Sequence, residues 1–264
     1  MERQVRPIVL LTDFGLTDHY VGVMKGVILS LHPQAQIIDL SHEIEPQDIA
    51  SAQILLQNAH TYFPKKSIFV SVVDPGVGTD RSILGVETEE QIFLAPDNGL
   101  LGFLGKSPSL RRIVQIQDEK YFRSPVSDTF HGRDIFAPVA AHLSLGTPLK
   151  KMGTETKALS QLDIPGPIVS SGEITGRVTA IDRFGNLITN IAKEMIPEGN
   201  QIVISIGKTR IKGLSRNYAG QKEKKPLALI GSDEMVEISI NQGNAAKQLA
   251  LSVGTPVRIQ TEKI

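Results

Sequence analysis

Two textures along the 264 residues predict a chain of two domains: an α/β domain, its largely parallel sheet flanked by helices, then a smaller all-β, barrel-like domain. Three observations predict this. Strand-like apolar runs alternate with helical spacing up to about residue 160, and a proline-containing stretch, Leu162-Asp163-Ile164-Pro165-Gly166-Pro167, interrupts the pattern. Beyond it nearly every segment is a short β candidate broken by Gly and Asn turns. The expected division is residues 1–160 for the first domain, 161–171 for a linker and 172–264 for the second.

The elements follow in order. Ile8 to Leu11 is a short apolar run ending in a turn, and reads as a buried strand. Val21, Met24, Ile28 and Leu31 recur at helical spacing, so a helix is expected from about Asp18 to Leu31, stopped at His32-Pro33. Ala35–Leu40 is the next strand, and Pro46–Ala59 a second helix with Ile49, Ala52, Leu55 and Leu56 on one face. Ser67–Val73 is a β-branched run cut off by Asp74-Pro75-Gly76. Ile83–Thr88 and Gln91–Ala95 are strands around an acidic turn, Asn98–Gly105 a short helix, Arg111–Gln117 a strand and Gly132–Leu145 a helix. The second domain offers strands at Glu173–Asp182, Asn186–Ile191, Gln201–Ile206, Leu227–Ile230, Val236–Ile240 and Pro256–Gln260.

Composition narrows the function. Twenty-eight basic and 28 acidic residues cancel, which argues against a phosphate-tracking surface and hence against nucleic acid or an anionic membrane as partner. The absence of cysteine removes disulfides, thiolate catalysis and cysteine-based zinc sites, and fits a cytoplasmic protein. Met1–Pro7 is short and polar, so no signal peptide is expected, and no apolar run reaches the roughly 20 residues of a membrane helix.

Four motifs could carry chemistry. Thr12-Asp13-Phe14-Gly15, with Asp18 after it, falls at the carboxyl end of the first strand, where open α/β sheets bind ligands and a carboxylate can accept both hydrogen bonds of a ribose diol. The alternative is a turn residue and a helix cap. Asp74-Pro75-Gly76-Val77-Gly78-Thr79-Asp80-Arg81 is a tight loop that lets backbone approach a ligand, or simply a connection; it lacks the spacing of a phosphate loop. Phe130-His131-Gly132-Arg133-Asp134 sets a histidine at a helix start, as general base, metal ligand or structural cap. No HExxH and no close second histidine supports a metal. Asp182-Arg183-Phe184-Gly185-Asn186 offers a carboxylate, a stacking face and an amide reader, or a plain hairpin turn.

Taken together, the chain resembles the S-adenosylmethionine (SAM) hydroxide adenosyltransferases, which are related to fluorinase and chlorinase. Six blocks carry the resemblance in chain order: TDFGLTD, DPGVGTDR, APDNGLL, FHGRDIFAPVAA, IDRFGNLITN and VEISINQGNAA. It implies hydrolysis of SAM to adenosine and methionine, no cofactor, and a homotrimer with active sites between subunits. By the same resemblance Asp74, Arg81 and His131 fall on the catalytic set and Asp13 on the ribose-binding carboxylate. Asp18 falls near the methionine amine, while Asp182, Phe184 and Asn186 fall on the segment that holds adenine and the methionine end. Ser232 and Glu237 lie in the last ligand-contacting segment.

Two other functions compete with hydrolysis. In a halogenase of the same fold, Tyr takes the place of Asp74 and a longer loop precedes Ile92–Pro96; here Asp is present and Glu87–Gln91 is a short turn. A non-catalytic nucleoside-binding module would keep Asp13, Phe184 and Asn186 but have no use for Arg81 and His131.

Overall fold

The structure, a computed structural model, describes residues 6–197 and 202–261. The start of the polar Met1–Pro7 segment and Gln201, the first residue of an expected strand, lie outside the described residues. The chain divides into two compact units, Met1–Asp163 and Ile164–Ile264.

The first unit runs β1 (Ile8–Thr12), α1 (Tyr20–Leu31), β2 (Ile37–Ser41), α2 (Ile49–Ala59), β3 (Ile68–Val72), β4 (Ile83–Thr88), β5 (Ile92–Pro96), β6 (Leu110–Ile116), α3 (Ala137–Ser144) and β7 (Gly153–Thr156). Its sheet has the order β2-β1-β3-β5-β4-β6-β7. Pairs β1–β2, β1–β3 and β3–β5 are parallel, whereas β4–β5, β4–β6 and β6–β7 are antiparallel. The sheet is therefore mixed, not largely parallel. The cause is local: only Glu89 to Gln91 join β4 to β5, and a parallel crossover takes about a dozen residues or more.

β1, β3 and β5 are buried along their whole length, which explains why they read as continuous apolar runs. Successive side chains alternate between two cores. Ile8, Leu10, Val70 and Leu94 pack with Met24 and Ile28 of α1 and with Val139 and Ala140 of α3. Val9, Leu11, Phe69 and Phe93 pack instead with Ala52 and Leu56 of α2. The expected Gly132–Leu145 helix begins as a π-helical turn at Gly132–Phe136 before α3, and the Asn98–Gly105 expectation resolves to a 3₁₀ segment at Gly102–Lys106.

The second unit contains β8 (Ile168–Ser170), β9 (Glu173–Ile181), β10 (Leu187–Ala192), β11 (Ile202–Ile206), β12 (Thr209–Lys212), β13 (Pro226–Ile230), β14 (Met235–Ile240), α4 (Ala245–Leu249) and β15 (Pro256–Thr261). These strands form one sheet in the order β12-β11-β15-β9-β10-β14-β13, with β8 added to β9. The amide of Ser215, just past β12, donates to the carbonyl of Ala228 in β13 across 2.7 Å, so the two ends of the order meet and the sheet is nearly closed. Its interior holds Ile174, Val178, Leu187, Ile191, Ile204, Ile238 and Ile259. Among the described residues, no helix is long and apolar enough to cross a membrane.

Candidate active site

Strand direction brings the polar motifs of the first unit to one edge. β1 and β3 are parallel neighbours with Thr12 opposite Val72, so Asp13 and Asp74 leave the sheet side by side. β4 starts where its antiparallel partner β5 ends, with Ile83 opposite Pro96, which sets Arg81 on that same edge. The side-chain amide of Asn98 donates to the carbonyl of Val73 across 2.8 Å and anchors the loop that begins with Asp74. Gly78 has φ +78, and a Cβ there would lie 2.3 Å from the carbonyl oxygen of Asp128. Only glycine lets this loop lie against the segment leading to His131.

Within that edge Asp74, Arg81 and His131 form one connected cluster. Nε of Arg81 donates to both carboxylate oxygens of Asp74 at 3.0 and 2.9 Å, and Nη2 donates to Oδ2 at 2.5 Å. Nη2 also donates to Nδ1 of His131 at 2.7 Å. The pair is largely shielded, exposing 11% of the Arg81 side chain and 5% of the Asp74 side chain. A guanidinium has donors only, so Nδ1 of His131 must accept and the ring carries its proton on Nε2. Burial, and then the charge of Arg81, hold the His131 imidazole below its ordinary pKa of 6.5. His131 is thus a neutral hydrogen-bond donor at neutral pH.

A cavity of about 420 Å³ opens over this cluster, lined by Asp13, Phe14, Tyr20, Gln47, Asp74, Val77, Phe130 and His131 among others. Phe14, Tyr20 and Phe130 form its aromatic wall, with ring centroids 5.1–6.0 Å apart. Asp13 faces it and accepts the amide of Gln47 on Oδ2 at 2.8 Å. Asp18 does not line this cavity; it is exposed, and the position before α1 is occupied by His19, so Asp18 does not cap the helix either.

In the second unit Asp182, Phe184 and Asn186 share the turn from β9 to β10. Asp182 accepts the amides of Phe184 (2.9 Å) and Asn186 (2.8 Å) on Oδ1 and the Asn186 side-chain amide (2.8 Å) on Oδ2. Its carboxylate is therefore engaged within the turn. The same turn leaves Phe184 76% exposed. Gly185, at φ +87, lies so close to Asn244 that a Cβ would approach the Asn244 side chain to 2.1 Å, which ties the turn to the cap of α4. Glu237 is buried on β14 and accepts from the hydroxyls of Tyr218 (2.9 Å) and Ser239 (2.7 Å). Burial and the Glu237 carboxylate push the Tyr218 phenol up to about 12, so it stays a donor. Ser232 is exposed, 3.5 Å from Asp233. Tyr218, Ser239, Gln47 and Asn98 were not singled out from the sequence; Asn98 and Ser239 lay in recognised blocks, APDNGLL and VEISINQGNAA, whereas Gln47 and Tyr218 lay in none. Among the described residues, no group of three or more His, Cys, Asp or Glu side chains is arranged to hold a metal ion.

Known proteins are similar to this chain over most of its length. A family model described as the SAM hydroxide adenosyltransferase N-terminal domain matches residues 8–153, and the model of the C-terminal domain of the same family matches residues 176–258. An (R)-S-adenosyl-L-methionine hydrolase from Thermus thermophilus is 35% identical over 97% of this chain and 100% of its own length. A fluorinase from Actinoplanes sp. is 31% identical over 70% of this chain and 71% of its own. The crystal structure of an uncharacterised conserved protein from Thermotoga maritima superposes with a TM-score of 0.90 at 36% identity, covering 96% of this chain and 99% of that one. The chain belongs to the SAM hydroxide adenosyltransferase family.

Proposed function

We propose that this chain is an enzyme that hydrolyses SAM to adenosine and L-methionine, with a water oxygen attacking C5′ of the ribose. The observation that carries the reading is the shielded Asp74–Arg81–His131 cluster beside a cavity whose wall also holds Asp13. Full-length similarity to a protein named as an (R)-S-adenosyl-L-methionine hydrolase supports it.

The chemistry needs little else. The C5′–S bond breaks with its electron pair going to sulfur, so methionine leaves as a neutral thioether and no general acid is required. What remains is to hold one water in line with C5′ and take its proton. Nε2–H of His131 donates to the water oxygen, while a carboxylate lone pair of Asp74 that Arg81 does not use accepts the water's proton. Arg81 keeps Asp74 fixed and favours negative charge on the nucleophile. The positive charge of SAM disappears in the transition state, and Arg81 lowers the negative potential that would otherwise stabilise the ground state. Asp13 holds the ribose diol, and Phe184 and Asn186 supply the stacking face and the amide for adenine. Asp18 serves the methionine amine and Ser232 and Glu237 belong to the last ligand-contacting segment, with Asp182 shaping the turn that carries Phe184.

The reading extends to a cofactor-free homotrimer in the cytoplasm with active sites between subunits. The placement of active sites between subunits draws support from Phe184, an aromatic face left 76% exposed, as an adenine platform shared with a neighbouring subunit would be. Halogenation is disfavoured by the carboxylate at position 74, because a bare halide is repelled by Asp74 and gains nothing from a base. Chromatography of a reaction with SAM in chloride buffer tests the proposal. Adenosine and methionine in equal amounts support it; 5′-chlorodeoxyadenosine, or no turnover by pure protein, would replace it with the halogenase or the binding module.

A further inference from the structure

The residues flanking Asp13 are held by a chain of hydrogen bonds that the reaction itself does not call for. Thr12 ends β1 fully buried, and its hydroxyl lies 2.8 Å from Nδ1 of the buried His42. Nε2 of His42 lies 3.0 Å from Oδ1 of Asp39, and Oδ2 of Asp39 accepts from Nζ of Lys25 on α1 at 2.6 Å. The direction follows from the end groups. A carboxylate beside an ammonium only accepts, so Nε2–H donates to Asp39; in the neutral imidazole Nδ1 then accepts the Thr12 hydroxyl proton, and the hydroxyl oxygen accepts the amide of Phe14 at 3.3 Å. The amide of Gly15 donates to the carbonyl of His42 at 2.8 Å. His42 therefore holds the backbone on the C-terminal side of Asp13 twice, once through Thr12 and once directly.

This arrangement depends on an irregularity in β2. Leu10 pairs with Asp39 but Leu11 pairs with Ser41, so Leu40 is an extra residue. In a regular strand Asp39 and His42, three apart, would point to opposite faces. The bulge brings both to the α1 side of the sheet, where Lys25 and Thr12 also lie. A bulge, a buried imidazole and a surface ion pair all converge on a two-residue backbone segment beside the cavity.

We infer that His42, oriented by Asp39 and Lys25 and acting through Thr12, is a positioning residue that fixes the Asp13 carboxylate for the vicinal diol of the bound nucleoside. The inference rests on the reading of Asp13 as the diol-binding group. It is tested by calorimetric binding of adenosine and 2′-deoxyadenosine to the full chain, because their affinity ratio reports the diol contact and not overall stability. The wild type should prefer adenosine by on the order of tenfold or more, the value of a hydrogen bond to a charged acceptor. Thr12→Val, nearly isosteric but lacking the hydroxyl, should bring the two ligands to within about threefold of each other, and Thr12→Ser should restore the preference. Asp39→Ala, on a partly exposed side chain, should shift the ratio the same way and decides the matter if Thr12→Val does not fold. Asp13→Asn separates the two claims. If it abolishes the preference while Thr12→Val and Asp39→Ala both keep it in full, the positioning role is overturned. If Asp13→Asn itself keeps the preference, the reading of Asp13 fails instead.

Discussion

Arg81 donates to Nδ1 of His131 across 2.7 Å, and that bond commits the imidazole to the tautomer with its proton on Nε2. A histidine held this way cannot take a proton through Nε2. In the proposed reaction, the proton-accepting role among the three clustered side chains is thereby assigned to Asp74.

The first prediction separates these roles by substitution. Gln at position 131 can present an amide N–H near the place of Nε2, whereas Ala cannot. His131→Gln should retain at least about ten times the kcat of His131→Ala, the order of one hydrogen bond to a developing charge. Asp74→Asn should lose roughly a hundredfold or more in kcat with little change in adenosine affinity. Equal loss in both His131 variants would return the proton to histidine.

The pH dependence has a definite sign. Burial and Arg81 hold His131 below its ordinary 6.5, and protonating Nδ1 would turn two donors against each other. Activity should be flat as pH falls toward 6.5 and decline only below it, through the depressed pKa of the folded protein. The unfolded chain binds the proton first, so the contribution of this residue to stability is fully present above 6.5 and is lost as pH falls from there to the folded pKa. A kcat profile of the wild type with an acid limb centred above 6.5 would contradict this assignment.

Arg81 matters to the fold as well as to the reaction. Arg81→Met leaves the Asp74 carboxylate, 5% exposed, without its cation, and should lower stability by about 3 kcal/mol in denaturant unfolding. Asp74→Asn combined with Arg81→Met should recover part of that loss, because no unpaired charge is then buried. A double variant no more stable than Arg81→Met alone would show that the pair is not shielded as described.

Two glycines, one in each unit, stand where a side chain would collide with a neighbour. Gly78→Ala would drive a methyl into the carbonyl of Asp128, and Gly185→Ala would drive one into Asn244, each at a positive φ. Each should cost at least about 2 kcal/mol. Gly78→Ala should also reduce kcat, since it separates the Asp74–Arg81 loop from the segment before His131, whereas Gly185→Ala should act on substrate affinity. Thermal unfolding and steady-state kinetics on the same preparations distinguish the two effects.

Much of this was legible in the sequence where physics is local. Ile8–Thr12, Ile68–Val72 and Ile92–Pro96 are strands buried on both faces, and such strands announce themselves as continuous apolar runs. The mixed direction of the sheet was less visible because it depends on partner choice, although the short connection from Thr88 to Ile92 carried the signal. β7 and β8, GTET and IVS, pair at the margins of their sheets with mostly exposed side chains, so no alternation marks them. Asp13 and Asp74 stand out as polar residues at the ends of apolar runs, Arg81 as the close of the glycine-containing loop motif and His131 as a histidine at a helix start. His42 did not, because its role depends on a bulge at Leu40 that leaves no pattern in composition. The sequence offers Asp182 as a ligand group but cannot show that its neighbours Phe184 and Asn186 donate to its oxygens within the turn.

The most direct test of the central claim is a turnover of SAM by the pure wild-type protein in heavy-oxygen water, with adenosine analysed by mass spectrometry. Attack of water on C5′ predicts one heavy oxygen at the 5′ position of every adenosine formed, with methionine unlabelled and released in equal amount. Adenosine without the label, or a halogenated nucleoside in its place, would contradict it.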